Sequence, residues 1–413
     1  MRGGAEIHLG EISARLVADG HEVTVLTTDA QDFELFWDPQ ARRILKHEGW
    51  HDGVRILRFP VRHLPFPLLA YPALRRLLWL LSAFHPIPNS WLFSLSRYTP
   101  WVPDLSRWLS ETKEGFDLVA GMTICFEPLL EAGLHFARRR DIPFVIYPLT
   151  HLGAGANPAE DSLSRFYTMR HQVELVKKSD ALLAQTPSEQ KFYESQGMSG
   201  AKIHVAGPGV HPPDVLGGNG ARFRIQHQLD APIVSCISSM SYDKGTVHLV
   251  EAARRLWDAG DTLHLILAGA ILGPFRHYLE SLPAGERDRI MLLGPITEGV
   301  KRDLLAASDI VAMPSRTDSF GILYLEAWLY GKPVIAAQTW GVNDLIEHGR
   351  DGFLVPFGDV AALAAAIKQL LKYPAERAAL GSQGKQKVYQ LHTWERKYAV
   401  VREVYEHLVN LEV

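Results

Sequence analysis

Residues 310–334 read Ile310-Val-Ala-Met-Pro314-Ser-Arg-Thr-Asp318-Ser-Phe-Gly321-Ile-Leu-Tyr-Leu-Glu326-Ala-Trp-Leu-Tyr-Gly331-Lys-Pro-Val334. An apolar β-type run over 310–314 gives way to a turn at Ser319 to Gly321. A helical pattern follows as far as Gly331, and a second β-type run occupies 333–337. Strand, turn, helix and strand in succession is the repeating unit of a parallel sheet, because parallel strands need a crossover and a helix supplies it.

The same alternation runs outward on both sides. Strands are predicted at 233–238, 263–268, 290–293 and 353–355 around this unit, and at 22–27, 54–59, 117–121, 143–150, 181–186 and 202–205 in the first half. Helices fall between them, for example 246–259, stopped by Gly260, since glycine accepts the left-handed conformation at a helix end. Residues 207–230 are rich in glycine and proline and are read as a linker. The expected fold is α/β, with two Rossmann-like, doubly wound domains facing a cleft: 1–206, then 231–391, with a final helix over 392–413 crossing back to the first. That helix carries Trp394, Tyr398, Val401, Val404 and Leu408 on one apolar face.

The chain opens on a turn at Gly3-Gly4 leading straight into a helix, with Ile7, Ile12 and Leu16 on its buried face and Gly20 as its stop. In a doubly wound domain such a turn follows the central first strand, so that strand is expected to lie upstream of Met1. At 413 residues, with 47% hydrophobic and 22% charged residues, the chain suits two globular domains. A net charge of −3 gives no reason to expect a nucleic-acid partner. Cys125 and Cys236 are far apart in apolar, strand-like runs and read as buried free thiols of a cytoplasmic protein.

A helix starting after Ser319 offers the amides of Phe320, Gly321 and Ile322, and the positive end of its dipole, to an anion. Asp318 and Glu326 stand eight residues apart, about 12 Å along a helix, which suits two ends of one long ligand better than a hydrolytic carboxylate pair. This stretch resembles the acid-x7-acid signature of the retaining, family-four-type glycosyltransferases of GT-B fold, the glycosyl transferases of group 1. Supporting matches are Asp243-Lys244-Gly245, Ala206-Gly-Pro-Gly-Val210, Ala307-Ser-Asp-Ile310, Trp340-Gly-Val-Asn-Asp344 and the terminal helix from Trp394 to Tyr405.

The resemblance implies a role for each matching residue. Glu326 would bind the ribose hydroxyls of a nucleotide sugar. Asp318, with the backbone of Ser319, Phe320, Gly321 and Ile322, would hold the donor sugar. Lys244 would neutralise the leaving pyrophosphate, Gly3 and Gly4 would approach the donor phosphate, and His151 would stand near the reacting sugar. The backbone around Ile296 would meet the base. Where the family commonly has Gly-Arg, this chain has Ser238-Ser239, so one cation is lost at the pyrophosphate and Arg316 is a candidate substitute. The sequence holds no Asp-x-Asp triplet, and no metal or other cofactor is expected, the nucleoside-diphosphate sugar being a co-substrate.

Between Asp52 and Asp104 there is no acidic residue, while Arg55, Arg58, Arg62, Arg75, Arg76 and Arg97 are interleaved with leucines and with Trp79, Trp91 and Trp101. Two readings of 55–101 stand: a peripheral contact with the inner face of a membrane, or a helical hairpin packed on the core. The resemblance implies a retaining transferase moving a hexose to a hydroxyl acceptor that is a glycan, lipid-linked or a small molecule. A non-catalytic sugar-nucleotide-binding protein and an epimerase of the same fold are the alternatives.

Overall fold

The computed structural model describes residues 4–410. Its strands, in chain order, are β1 Thr24–Thr28, β2 Glu48–His51, β3 Val54–Phe59, β4 Val119–Met122, β5 Phe144–Tyr147, β6 Ala181–Ala184, β7 Ile203–Val205, β8 Ile233–Ile237, β9 His264–Ala268, β10 Ile290–Gly294, β11 Ile310–Met313, β12 Val334–Ala337 and β13 Gly352–Val355. The chain divides into two compact units. Ala5–Leu152, Asn157–Gly207 and the residues from Tyr398 form an N-terminal unit; Gly153–Ala156 and Pro208–Lys397 belong to a C-terminal unit.

The C-terminal unit is built on one parallel sheet in the order β10-β9-β8-β11-β12-β13. Every residue of β8, β11 and β12 is buried, as expected of strands covered by helices on both faces. The order reverses between β8 and β11, so the loops leaving those two neighbouring strands diverge and leave a crevice between them. Helix Thr246–Asp258 ends ahead of Gly260 at φ +84°, as its sequence predicts. The stretch 207–230 is more ordered than its composition suggests. Helices Pro212–Val215 and Gly220–Gln226 lie within it, and Phe223 is buried in the core of this unit.

The N-terminal unit carries two sheets, β2-β3-β1 and the parallel β4-β5-β6-β7. Among the described residues, β1 pairs with β3 alone and β4 with β5 alone. The antiparallel β2–β3 hairpin was not expected, because β2 is almost wholly exposed and lacks apolar alternation. Its readable mark is the Asp52-Gly53 turn, with φ values of +48° and +76°, the backbone that two-residue hairpins favour. Helix Gly4–Ala18 buries Ile12 together with His8 and Ser13, while Ile7 and Leu16 are half-buried, so the inward face is turned slightly from the expected one. Cys236 is buried in β8, but Cys125 lies half-buried in the short 3₁₀ turn Ile124–Phe126 rather than in a strand.

Helices Pro67–Ala83 and Asn89–Ser96 form a hairpin seated on the unit through Leu78 and Leu92, which pack with Met169. The Arg75 guanidinium reaches inward to Glu127 at 2.6 Å, where His171 and Gln172 also meet that carboxylate at 3.2 and 3.3 Å. Burial opposes the charge on Glu127, but Arg75 and His171 outweigh it and hold the carboxyl below its usual range.

Candidate active site

The loops that follow β8 and β11 are laced together by two crossed ion pairs. In the first loop, Ser241 donates its backbone N–H to Thr246 Oγ1 at 3.0 Å, and the Lys244 N–H donates to Ser241 Oγ at 3.2 Å. This tight turn presents Asp243 and Lys244 side by side to the second loop. Arg316 donates to Asp243 Oδ1 from Nε at 2.8 Å and from Nη2 at 2.6 Å, while Lys244 Nζ donates to Asp318 Oδ1 at 2.6 Å. The glycine after the lysine is needed twice over. Gly245 has φ +72°, and a Cβ there would stand 2.0 Å from the Pro314 carbonyl oxygen. Only glycine lets the two loops come this close.

Beyond Asp318, Ser319 rests its carbonyl against Gly341, and Thr339 Oγ1 donates to the Asp318 carbonyl at 3.3 Å. Phe320 turns its side chain into the core with its ring edge on His392, leaving its backbone at the turn. Gly321, at φ +89°, starts helix Ile322–Leu329, whose first residue, Ile322, is half-buried. Tyr324 anchors this helix to β11 by donating to the Met313 carbonyl at 2.8 Å.

Glu326, just over one turn along, is buried, with Oε1 accepting from Lys301 Nζ at 2.9 Å. Its other oxygen, Oε2, is buried with no hydrogen-bond partner among the described residues. Burial raises the carboxyl above its ordinary value, and the Lys301 ammonium only partly offsets this. Burial also works to lower Lys301, yet Glu326 and Glu298 together raise it, so the ammonium stays charged. An unmatched buried acceptor is costly, of order 1–3 kcal/mol, unless something donates to it.

Ser239 and Ile296 are both half-buried on the loops after β8 and β10, and Ile296 packs against the core. Arg316, expected as a candidate cation for a pyrophosphate, is neutralised by Asp243 and lies over the Phe357 ring at 5.2 Å. The structure thus brings Lys244, Asp318, Arg316 and the turn Ser319 to Ile322 together at one sheet crevice, with Glu326 on the helix behind.

His151 belongs to the N-terminal unit, on the loop after β5, with its ring set edge-on to Tyr167 at 4.5 Å. Gly4 opens the first helix, and Gly3 lies outside the described residues. The residue that shapes the His151 loop, Glu189, was missed from sequence. Its buried carboxylate accepts from the Thr150 N–H at 2.6 Å and from the Gln185 N–H at 2.7 Å, tying the loops after β5 and β6. The signal was present as Thr186-Pro-Ser-Glu189, a helix-start pattern in which Thr186 caps the Glu189 N–H at 3.2 Å. Also unforeseen is the use of Trp340, whose backbone N–H and indole N–H each donate at 3.1 Å, to the carbonyls of Gly153 and Gly155.

With that geometry in view, two family models match the chain. Glycosyl transferase 4-like domain covers residues 3–209 and Glycosyl transferases group 1 covers 220–387. The chain belongs to the group 1 glycosyltransferases and has the GT-B fold. A D-inositol 3-phosphate glycosyltransferase from Xylanimonas cellulosilytica is 28% identical over 289 residues, covering 67% of this chain and 69% of that protein. An alpha-D-kanosaminyltransferase from Streptomyces kanamyceticus is 33% identical over 150 residues, 36% of this chain and 38% of that one. Among solved structures, a sucrose-phosphate synthase from Thermosynechococcus elongatus aligns over 99% of this chain and 94% of its own, with TM-score 0.74 and 22% identity. Anabaena Alr3699/HepE, in complex with UDP and glucose, aligns over 98% and 96%, with TM-score 0.70 and 20% identity.

Proposed function

We propose that this glycosyltransferase moves a hexose, with retention and without a metal ion, from a nucleoside-diphosphate sugar to a hydroxyl acceptor. The observation that carries the reading is Glu326, a buried carboxylate with one oxygen on Lys301 and one without a donor among the described residues. A pair of ribose hydroxyls is the kind of neutral, bidentate donor that would meet that oxygen without placing a second charge beside it. Lys244 and the amides that begin the 322–329 helix supply positive potential where a leaving diphosphate gathers negative charge. Before a ligand arrives, Asp318 holds that ammonium; a diphosphate competes for it and frees the Asp318 carboxylate to receive sugar hydroxyls. The Anabaena protein named above has also been solved in complex with UDP-glucose, and a GDP-mannose-dependent relative acts on a phosphatidylinositol mannoside. These support a nucleotide-sugar donor and an acceptor that is a glycan, a lipid-linked sugar or a small polyol; contact of residues 55–101 with the inner face of a membrane is part of the same proposal.

The test is release of nucleoside diphosphate from a panel of UDP-, GDP- and ADP-sugars by the chain, by Glu326→Ala and by Lys244→Ala. Turnover of one donor that falls about 10²–10³-fold in each variant is expected. Donor binding without turnover would instead identify a sugar-nucleotide-binding protein. Equal turnover by all three proteins would refute the assigned roles.

A further inference from the structure

The reading of residues 55–101 as membrane-facing can be taken to particular side chains, because the structure sorts that segment into parts that are used internally and parts that are not. Half of its six arginines are already paired with carboxylates of the same unit. Arg55 pairs with Glu48 and Glu114, Arg62 with Asp104 and Arg75 with Glu127. The strand portion therefore offers little charge to a surface. What remains outward is the hairpin of helices Pro67–Ala83 and Asn89–Ser96.

Its outer face is apolar to a degree that a solvated face is not. Phe66 is 81% exposed, Leu69 74%, Leu80 55%, Phe84 60% and Trp91 64%, with Leu68 beside them. Leu69, Leu80 and Phe84 are spaced 11 and 4 apart, on one side of a helix, while Leu78 on the opposite side is fully buried. Large apolar side chains exposed together on one side of a helix, with Arg76 between them, mark an interaction surface. No helix among the described residues is long and apolar enough to cross a membrane, so the stripe would lie along a surface rather than through it.

Charge decides what covers it. No acidic residue occurs from 53 to 103. Arg76 and Arg97 are exposed; no ion pair joins either to a carboxylate within 4 Å among the described residues, and the carboxyl that Arg97 acts on, Glu131, is itself pushed up to about 7 by burial. At the turn of the hairpin, Arg170 donates to the carbonyls of Ser82, Phe84 and Ile87 at 2.7, 3.2 and 2.9 Å, and to Asn89 Oδ1 at 3.1 Å. All of these are neutral acceptors, so a fixed positive charge is left at the tip. Beside the Asn89–Ser96 helix opens a cavity of about 870 Å³, lined by Phe93, Arg97, Trp101 and Glu131 among others, where Arg138 and Lys178 are already paired with Asp180 and Glu174. A second copy docking face to face would set Arg76, Arg97 and Arg170 against themselves. A layer of anionic head groups over hydrocarbon complements both the stripe and its charge.

We infer that the outer face of the 67–96 hairpin docks on a bilayer containing anionic phospholipid, with Leu69, Leu80, Phe84 and Trp91 entering the interface and Arg76, Arg97 and Arg170 at the head groups. This rests on the membrane reading of 55–101 and is independent of the transfer chemistry. Three cations at the head groups correspond to a preference for anionic over zwitterionic vesicles of up to about a hundredfold.

The experiment is flotation of the full chain with phosphatidylcholine vesicles, with and without phosphatidylglycerol, beside sedimentation velocity without lipid. The chain should float with the anionic vesicles. The triple variant Leu69→Glu, Leu80→Glu and Trp91→Glu should lose at least about tenfold in binding. Because the three side chains are exposed, its thermal unfolding should stay that of the unsubstituted protein. Arg76→Glu with Arg97→Glu should lower the anionic preference. Glu326→Ala should float normally, so loss of donor turnover and loss of membrane binding are read separately. A chain that stays in the aqueous fraction with both vesicle types, or a folded triple variant that floats as before, would overturn the inference. Self-association abolished by the triple substitution, without flotation, would assign the face to a second copy instead.

Discussion

Replacing Gly245 by alanine tests whether the site depends on the close approach of its two loops. The residue sits at φ +72°, and an alanine there pays about 1–2 kcal/mol for the left-handed conformation alone. The added Cβ would also lie 2.0 Å from the Pro314 oxygen and 2.6 Å from its carbon, against the 3.0 Å that real Cβ atoms respect. One loop must therefore retreat by about 1 Å, an overpacking cost of about 1–3 kcal/mol. Gly260 provides the control at the other end of the same helix. It has φ +84° and no atom within 4 Å of its Cβ position, so Gly260→Ala pays the conformational cost without the clash. Amide hydrogen exchange of helix 246–258 should show Gly245→Ala less stable than Gly260→Ala by about 1–3 kcal/mol. A shift of about 1 Å also parts Lys244 from Asp318, and donor turnover should fall about 10²-fold in Gly245→Ala alone. Equal protection and equal turnover in the two variants would show that the loops do not need to touch, and the reasoning would fail.

Two further outcomes are expected. Burial pushes the Glu131 carboxyl up to about 7, so the folded chain holds a proton there that the unfolded chain releases near its ordinary value. Stability should thus fall as pH rises from about 4.5 to about 7. Glu131→Gln should remove that slope in urea midpoints taken across the window, whereas an unchanged slope would assign it to other groups. Arg170→Met removes the clasp on the hairpin turn, at a cost of about 2–4 kcal/mol confined to the hairpin. Limited proteolysis should then cut first between residues 84 and 89, and a variant as resistant as the parent would contradict the clasp.

How much of this was legible from sequence follows from where each signal resides. β8, β11 and β12 are continuous apolar runs because both faces are covered, and the sequence marks them within a residue or two. β2 escaped because an exposed strand needs no apolar pattern; only its Asp-Gly turn recorded it. The helices at 212–215 and 220–226 were hidden by glycine and proline around them, their order coming from burial of Phe223 rather than from propensity. At the site, the acid spacing and the Lys-Gly pair were visible, but Lys301 is one lysine among many until the fold sets it on Glu326. The arginines of 55–101 looked like a basic field; their acidic partners lie elsewhere in the chain, at Glu48, Asp104, Glu114 and Glu127, so composition could not subtract them.

The terminal helix has a consequence for biosynthesis. Tyr405 donates or accepts at 2.9 Å with Tyr147, across 258 residues of sequence, and Tyr398 reaches back to Asp19 at 2.7 Å. At about 5–20 residues per second, a ribosome needs some 13–50 seconds to travel from one tyrosine to the other. The unit translated first is therefore the unit finished last: the whole of 208–397 can emerge and fold while β5 still waits for its closing helix. Nascent chains stalled before 398 should hold a folded C-terminal unit beside an N-terminal one open to chaperones.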